Sequence, residues 1–327
     1  MTEFMAETAE TQNVTRHEVH TLDQRRGAQS PILRVGAEFA GSFLICFAIY
    51  VLSSFGIAIY GLDLAALALG TALIYTAVTT VFASLSGGQF NPAVTVAAML
   101  TGKTNVPTGV LYVIAQVLGG LGAGAVLRFV LPTSDSVTAK TWMTPVVNGF
   151  DAGSVSNSTI SQAGLSFGIT LAIIVEVVAS VIIVACAMRL TDNDGRPTHG
   201  YALAMGVTYG AGAAISYPIT GAALNPARAT GIAVFAQNQG LTTQPLSQLW
   251  VFWVAPVLAA AIVALAMIIA EIVTTRTPKK KAAHDESADA TQTDEVPADG
   301  EISESSDDNG ADSESTKSID VTSGEEA

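Results

Sequence analysis

Six stretches of the chain are almost wholly apolar: roughly residues 35–59, 63–84, 108–131, 166–190, 199–217 and 248–273. A helix crosses the hydrocarbon of a bilayer in about 20 apolar residues, so each is predicted to be a membrane span. Two further segments have helical character but are too short. Residues 91–100 would make a helix of about 15 Å at about 1.5 Å per residue, half of the hydrocarbon thickness of about 30 Å. Residues 225–235 are similar. Each short segment opens with Asn-Pro, a good N-cap followed by the residue best tolerated at the first helical position. Ser86-Gly87-Gly88 and Thr220-Gly221-Ala222 precede them and are small enough for the chain to enter the membrane and turn back. Irregular backbone at that depth must be buried in protein or line a wet cavity. The expected fold class is therefore an all-α membrane protein of six transmembrane helices plus two half-helices. The first span lies too far from Met1, with no clear cleavage site, to read as a signal peptide.

The pattern repeats. Glu38-Phe-Ala-Gly-Ser-Phe-Leu-Ile-Cys46 lines up with Glu176-Val-Val-Ala-Ser-Val-Ile-Ile-Val184, and Tyr112-Val-Ile-Ala-Gln116 with Phe252-Trp-Val-Ala-Pro256. Asn91-Pro92-Ala93 recurs as Asn225-Pro226-Ala227. Repeat one covers about 33–131 and repeat two about 166–273. Three spans per repeat is an odd number, so the halves insert with opposite orientation. Sites in such inverted repeats lie near the midplane, between the halves.

Charge adds the orientation. The net charge of −13 belongs to the end of the chain: residues 282–327 hold 15 acids and one base, Lys317, and the rest is nearly neutral. Of the 15 Lys and Arg, 11 fall on one side of a six-span topology: Arg16, Arg25, Arg26, Arg34, Lys103, Arg189, Arg196, Arg276, Lys279, Lys280 and Lys281. The excess of bases on cytoplasmic loops then predicts both termini in the cytoplasm. The domain reading is a disordered segment over 1–32, a channel domain over 33–275, and a basic juxtamembrane stretch with an acidic tail over 276–327. Arg276 and Lys279–Lys281 are expected to meet anionic headgroups, and the tail to act chiefly as a solvating segment.

Candidate chemistry is sparse and central. Two half-helices entering from opposite faces would meet with their N-termini, and their positive dipole ends, at one depth. Asn91 and Asn225 could each cap a helix and still offer an NH₂ to a pore. Glu38 and Glu176 are acids inside spans, which is expensive without partners; they read as buried acceptors for the loop backbone. Gln116 reads the same way. Gly119, Gly120, Gly122 and Gly124, like Ala259, Ala260, Ala261 and Ala264, suit close helix packing. His199 reads as a solvated interfacial residue. Cys46 and Cys186 fall in apolar runs and read as small hydrophobes, not as a disulfide or a metal site. No cofactor or metal is expected.

These residues carry a resemblance. Over about residues 33–273 the chain resembles the major intrinsic proteins, the aquaporins and glycerol facilitators, in its two Asn-Pro-Ala boxes, Glu38, Glu176, Gln116, the Ser-Gly-Gly before the first box and Arg228 after the second. The resemblance implies a homotetramer in the plasma membrane and a passive channel for water, with small neutral solutes such as glycerol or urea. It also implies a filter built on Arg228, and counting from the boxes without gaps puts Thr71, Ala213 and Ala222 around it. A one-residue slip would give Gly70 or Ala72 instead of Thr71. Strict water channels resemble Phe, His and a small residue at these three places, and glycerol facilitators resemble Trp, Gly and Phe. This chain has small residues at all three, which implies a wider opening. Ala229, Ala233 and Phe252-Trp253 resemble the aquaporin branch.

Other classes stay open. A glycerol or small-solute facilitator, with water secondary, fits the same fold. An ion-coupled transporter would need ionisable groups in its path, and only Glu38 and Glu176 qualify. A junction protein using the fold structurally would carry no flux. Nothing supports an enzyme or a nucleic-acid partner; the partners expected are water, small neutral solutes and lipid.

Overall fold

The computed structural model describes residues 30–276. The expectations for the N-terminal segment, for Arg16, Arg25 and Arg26, for Lys279–Lys281 and for the acidic tail lie outside the described residues, as does the Arg276 side chain. Among the described residues there are six long helices and two short central ones. We label them α1 (Pro31–Tyr60), α2 (Leu64–Ser86), α3 (Pro92–Leu100), α4 (Val106–Val130), α5 (Ile169–Arg189), α6 (Tyr201–Thr220), α7 (Pro226–Ala236) and α8 (Val251–Arg276). No strand occurs among them; one isolated bridge joins Thr191 and Pro197.

Local chemistry sets the ends. Asp63 caps α2 by accepting from the Ala66 N–H, and Asn105 caps α4 by accepting from the Thr108 N–H. Such caps are worth about 1 kcal/mol each. Gly87, at φ +99°, and Gly221, at φ +76°, end α2 and α6 in the left-handed conformation that releases the chain toward the half-helices. Inside α1 the backbone widens to a π-helical turn over Leu52–Gly56. Periodicity of apolar residues does not predict such a turn.

Five of the long helices are apolar enough to cross a membrane on composition alone; α6 is less apolar. The reason is its inward row. Tyr201, Met205, Tyr209 and Ala213 are buried at four-residue spacing, with Ser216 and Thr220 beyond them. On α2 the inward row is Leu67, Thr71, Tyr75, Thr79 and Ala83. Large apolar side chains such as Leu69, Leu73, Leu203, Val207, Leu258 and Leu265 face outward, where lipid would meet them.

The small-residue rows do two jobs. On α4, Gly119 lies against the α1 backbone at Phe39 and Phe43, while Gly120 and Gly124 press on the backbone of α7 at Ala227 and Gly231. A Cβ at either contact would overlap a carbonyl. On α8, Ala259, Ala260 and Ala264 are buried, but Ala261 faces outward, so it takes no part in packing within the chain. One end of the bundle carries Arg34, Lys103, Arg189 and Arg196. There the Lys103 Nζ donates to the carbonyls of Thr191 (2.5 Å) and Asp192 (3.1 Å). Partial burial holds this ammonium below the usual lysine range, against the pull of Asp192 and Glu271. His199 is exposed at the same end.

Candidate functional site

The centre is built from two matching loops. In the first, the Glu38 Oε1 accepts from the Ser86 hydroxyl (2.6 Å) and the Gln89 N–H (3.0 Å), and its Oε2 from the Phe90 N–H (2.7 Å) and the Gln116 amide (2.7 Å). In the second, the Glu176 Oε1 accepts from the Thr220 hydroxyl (2.5 Å) and the Ala223 N–H (3.0 Å), and its Oε2 from the Leu224 N–H (2.8 Å). Both acids are fully buried. Their partners are donors, the set a carboxylate can satisfy, and two of them in each loop are backbone N–H groups that lipid could not serve. The clamps hold strained backbone: Phe90, Ala222 and Leu224 sit at φ +47°, +52° and +54°. For residues with a Cβ, each such conformation costs on the order of 1–3 kcal/mol.

Asn91 and Asn225 follow, and each caps its half-helix. The Asn91 Oδ1 accepts from the Ala93 N–H (2.8 Å), and the Asn225 Oδ1 from the Ala227 N–H (2.9 Å). The two N-termini therefore point at each other across the centre, and Pro92 and Pro226 occupy the first helical positions, where no N–H is required. The side-chain amides are committed elsewhere than expected. Asn91 donates to the Leu224 carbonyl (2.9 Å) and the Tyr209 hydroxyl (2.7 Å). Asn225 donates to the Phe90 carbonyl (2.8 Å) and the Tyr75 hydroxyl (3.4 Å). The sequence reading left both NH₂ groups free for a pore. In the structure both hydrogens of each have protein acceptors, because each loop closes on the carbonyl of the other and a tyrosine stands beside each amide.

Beyond the centre, away from the basic end, one cavity is lined by Thr71, Ala213, Ala222 and Arg228, together with Ser53, Tyr217, Tyr75 and Tyr209. The structure thus brings the four residues selected from the sequence to one place. Thr71 is buried, whereas Leu69 and Leu73 are each 61% exposed on the outer face. Gly70 packs on Leu52, and Ala72 on Gly210 of α6. Of Gly70, Thr71 and Ala72, Thr71 is the one that lines the cavity with Arg228. The Arg228 guanidinium, 3% exposed, donates to the Asn148 Oδ1 (2.8 Å) and the Val146 carbonyl (3.5 Å). Its own carbonyl accepts from the Tyr50 hydroxyl (2.5 Å). Asn148 is itself held, its amide donating to the carbonyls of Thr220 (3.2 Å) and Gly221 (2.9 Å).

Sequence reasoning missed Ser53, Tyr75, Asn148, Tyr209 and Tyr217. Two of them had a signal. Tyr75 and Tyr209 are separated by the same 134 residues as Asn91 and Asn225, so each occupies the other's place in the repeat. Asn148 had none, since it lies in the long connection between α4 and α5, outside both repeats. Ser53 lies on the π-helical turn and lines the cavity, and its buried hydroxyl has no hydrogen-bond partner among the described residues. Gln116, expected to be a scaffold residue, bridges the Glu38 Oε2 and the Thr95 hydroxyl (2.9 Å). No group of three or more His, Cys, Asp or Glu that could hold a metal occurs among the described residues.

Comparison with known proteins gives the family and the fold. The family model described as major intrinsic protein matches residues 28–267. Aquaporin Z of Photorhabdus laumondii is 33% identical over 235 residues, covering 70% of this chain and 93% of that protein. Aquaporin Z of Brucella melitensis is 31% identical over 239 residues, covering 71% and 95%. The glycerol uptake facilitator protein-like 6 of Lactiplantibacillus plantarum is 28% identical over 229 residues, covering 70% and 93%. Among solved structures, the aquaglyceroporin from Plasmodium falciparum superposes with a TM-score of 0.58 at 21% identity, over 75% of this chain and 100% of that one, a likeness of fold.

Proposed function

We propose, from the premise that this chain belongs to the major intrinsic protein family, that it conducts water together with small neutral solutes such as glycerol or urea. The family makes the protein a passive, multi-pass membrane channel rather than an enzyme. The choice of solute is our reading. The observation that carries it is the cavity around Arg228, whose other selected walls are Thr71, Ala213 and Ala222. A buried guanidinium supplies a fixed cation and N–H donors, and Thr71, Ala213 and Ala222 add little bulk around it; the cavity measures about 10 Å³, room for about one water, so a larger solute passes only as its walls move.

Charge exclusion follows from the same groups. The N-termini of α3 and α7 direct positive potential at the centre, and Arg228 adds a full charge nearby. Glu38 and Glu176, the two acids expected deep within spans, are engaged by the loops, which argues against a coupled transporter that would use them. The asymmetry of bases supports a plasma-membrane orientation with both termini in the cytoplasm, and family likeness supports a homotetramer. A facilitator in which glycerol is the main solute is the second reading; it is favoured by the small walls opposite Arg228 and by the likeness to a glycerol uptake facilitator-like protein.

The test is light scattering of proteoliposomes challenged in turn with sucrose, glycerol and urea gradients. Water flux well above empty vesicles, with measurable glycerol or urea entry, is the expected result. Glycerol entry outpacing water efflux would favour the second reading, and complete exclusion of both solutes would refute the passage of small neutral solutes beside water.

A further inference from the structure

The floor of the cavity is two tyrosine rings. Tyr75 projects from α2 and Tyr209 from α6, and both are buried, at 2% and 1% exposure. Their planes lie 6° from parallel and their centroids 3.4 Å apart. Carbon atoms in contact sit about 3.5–4.0 Å apart, so the faces touch. A water molecule needs about 2.8 Å to each neighbouring oxygen, and nothing of that size fits between them. The pair lies beside the two Asn-Pro-Ala boxes, because its hydroxyls accept from the Asn91 and Asn225 amides. On the far side, Thr79 and Ala83, the next inward residues of α2, line the cavity that opens at the basic end together with Tyr201.

We infer that the stacked Tyr75–Tyr209 pair, and not the ring around Arg228, is the narrowest point of the conduction path and sets its size selectivity. This rests on the channel reading above. Any solute that leaves the cavity toward the basic end must displace a ring. Displacing it frees the adjacent Asn amide hydrogen, which the passing solute then takes up as an acceptor. Water needs a small displacement and a polyol a larger one, so the pair discriminates by size even though the outer walls are small. The 134-residue equivalence of the two positions has a structural consequence: the rings are related by the pseudo-two-fold of the fold and meet on its axis.

The experiment compares wild type, the double variant Tyr75→Val/Tyr209→Val and the double variant Tyr75→Phe/Tyr209→Phe in proteoliposomes. Water and glycerol permeability per channel are read at several temperatures. The valine variant is expected to pass water several-fold faster and glycerol faster still, with a shallower temperature dependence. The phenylalanine variant keeps the rings and is expected to stay near wild type in glycerol-to-water ratio. Elution profile and melting temperature identify folded protein, and Tyr209→Val alone replaces the double variant if that one does not fold. A conducting wild type whose folded valine variant keeps the same fluxes, ratio and temperature dependence overturns the inference and leaves the channel reading intact. A silent wild type with a conducting valine variant supports the inference in its strongest form. Silence in all of them overturns the channel reading, and the inference with it.

Discussion

Glu38→Gln separates a carboxylate that holds the pore loop from one that takes part in transport. The substitution keeps shape and turns one carboxylate oxygen into an NH₂. If the amide replaces Oε2, it confronts the Phe90 N–H and the Gln116 Nε2. Gln116 can answer by turning over, since its Oε1 has no partner among the described residues; Phe90 cannot. If the amide replaces Oε1, it confronts the Ser86 hydroxyl and the Gln89 N–H. Ser86 can rotate to accept; Gln89 cannot. Either way one buried backbone N–H is orphaned and faces another donor. Such a group costs about 1–3 kcal/mol, and weakening of the charge-assisted bonds that remain adds to it. We expect a total of about 3 kcal/mol, or a fall in melting temperature of roughly 6–12 °C at about 2–4 °C per kcal/mol. The assay is thermal unfolding of the purified protein in detergent, paired with water flux per folded channel. Flux is expected to fall as well, because Phe90 at φ +47° carries the carbonyl that holds Asn225. Glu176→Gln is expected to behave alike, with Ala223 or Leu224 orphaned. A Glu38→Gln protein that melts within about 1 °C of wild type and conducts normally would refute the reasoning. Loss of a proton-gradient-dependent flux in that variant would assign the acid to the path instead.

Three further outcomes follow from the same site. Thr71→Phe adds bulk to the cavity that Arg228 lines and is expected to cut glycerol flux more than water flux in vesicles; unchanged fluxes of both would mean that Thr71 does not face the path. Arg228→Ala removes the fixed cation and leaves the Asn148 Oδ1 without its donor. It is expected to raise Na⁺ conductance measurably above the ion-tight wild type, and unchanged conductance would place charge exclusion on the half-helix ends alone. Mercurials are expected to inhibit weakly, since Cys46 is fully buried in α1 and Cys186 lies on α5, while the loop before the second box offers Ala222, Ala223 and Leu224; strong, thiol-reversible block of water flux would show that a cysteine faces the path.

What the sequence made legible was whatever is written in one dimension. Long apolar runs, Asn-Pro starts and small residues before them are local signals, and the helices appear within a few residues of where those signals put them. The inverted repeat was legible because two halves of one chain can be compared with each other. The surroundings of Arg228 were harder. Asn148 reaches it from a connection with no repeat partner, and the π-helical turn that turns Ser53 inward breaks the period on which the reading depended. The tyrosine pair was hidden for another reason. An aromatic residue in an apolar run reads as core, and only the approach of α2 to α6 turns two such residues into a closed contact. The commitment of both Asn amides has the same origin, since each acceptor comes from the opposite repeat.

That reciprocity bears on how the chain is made. Asn225 supplies the donor for the Phe90 carbonyl, and Asn91 the donor for the Leu224 carbonyl, across 135 and 133 residues of sequence. A ribosome adding roughly 5–20 residues per second takes on the order of ten seconds to cover that distance. All the donors to Glu38 lie in the first half, so Glu38 can hold the first re-entrant loop throughout that interval while the loop still lacks its partner from the second half. Its free carbonyl and amide, set against an incomplete bundle, are groups that lipid cannot serve and that an insertion machinery must shelter until Asn225 arrives. The clamp acids thus act first, within each half, and the exchange between the loops is the step that commits the two halves to one another.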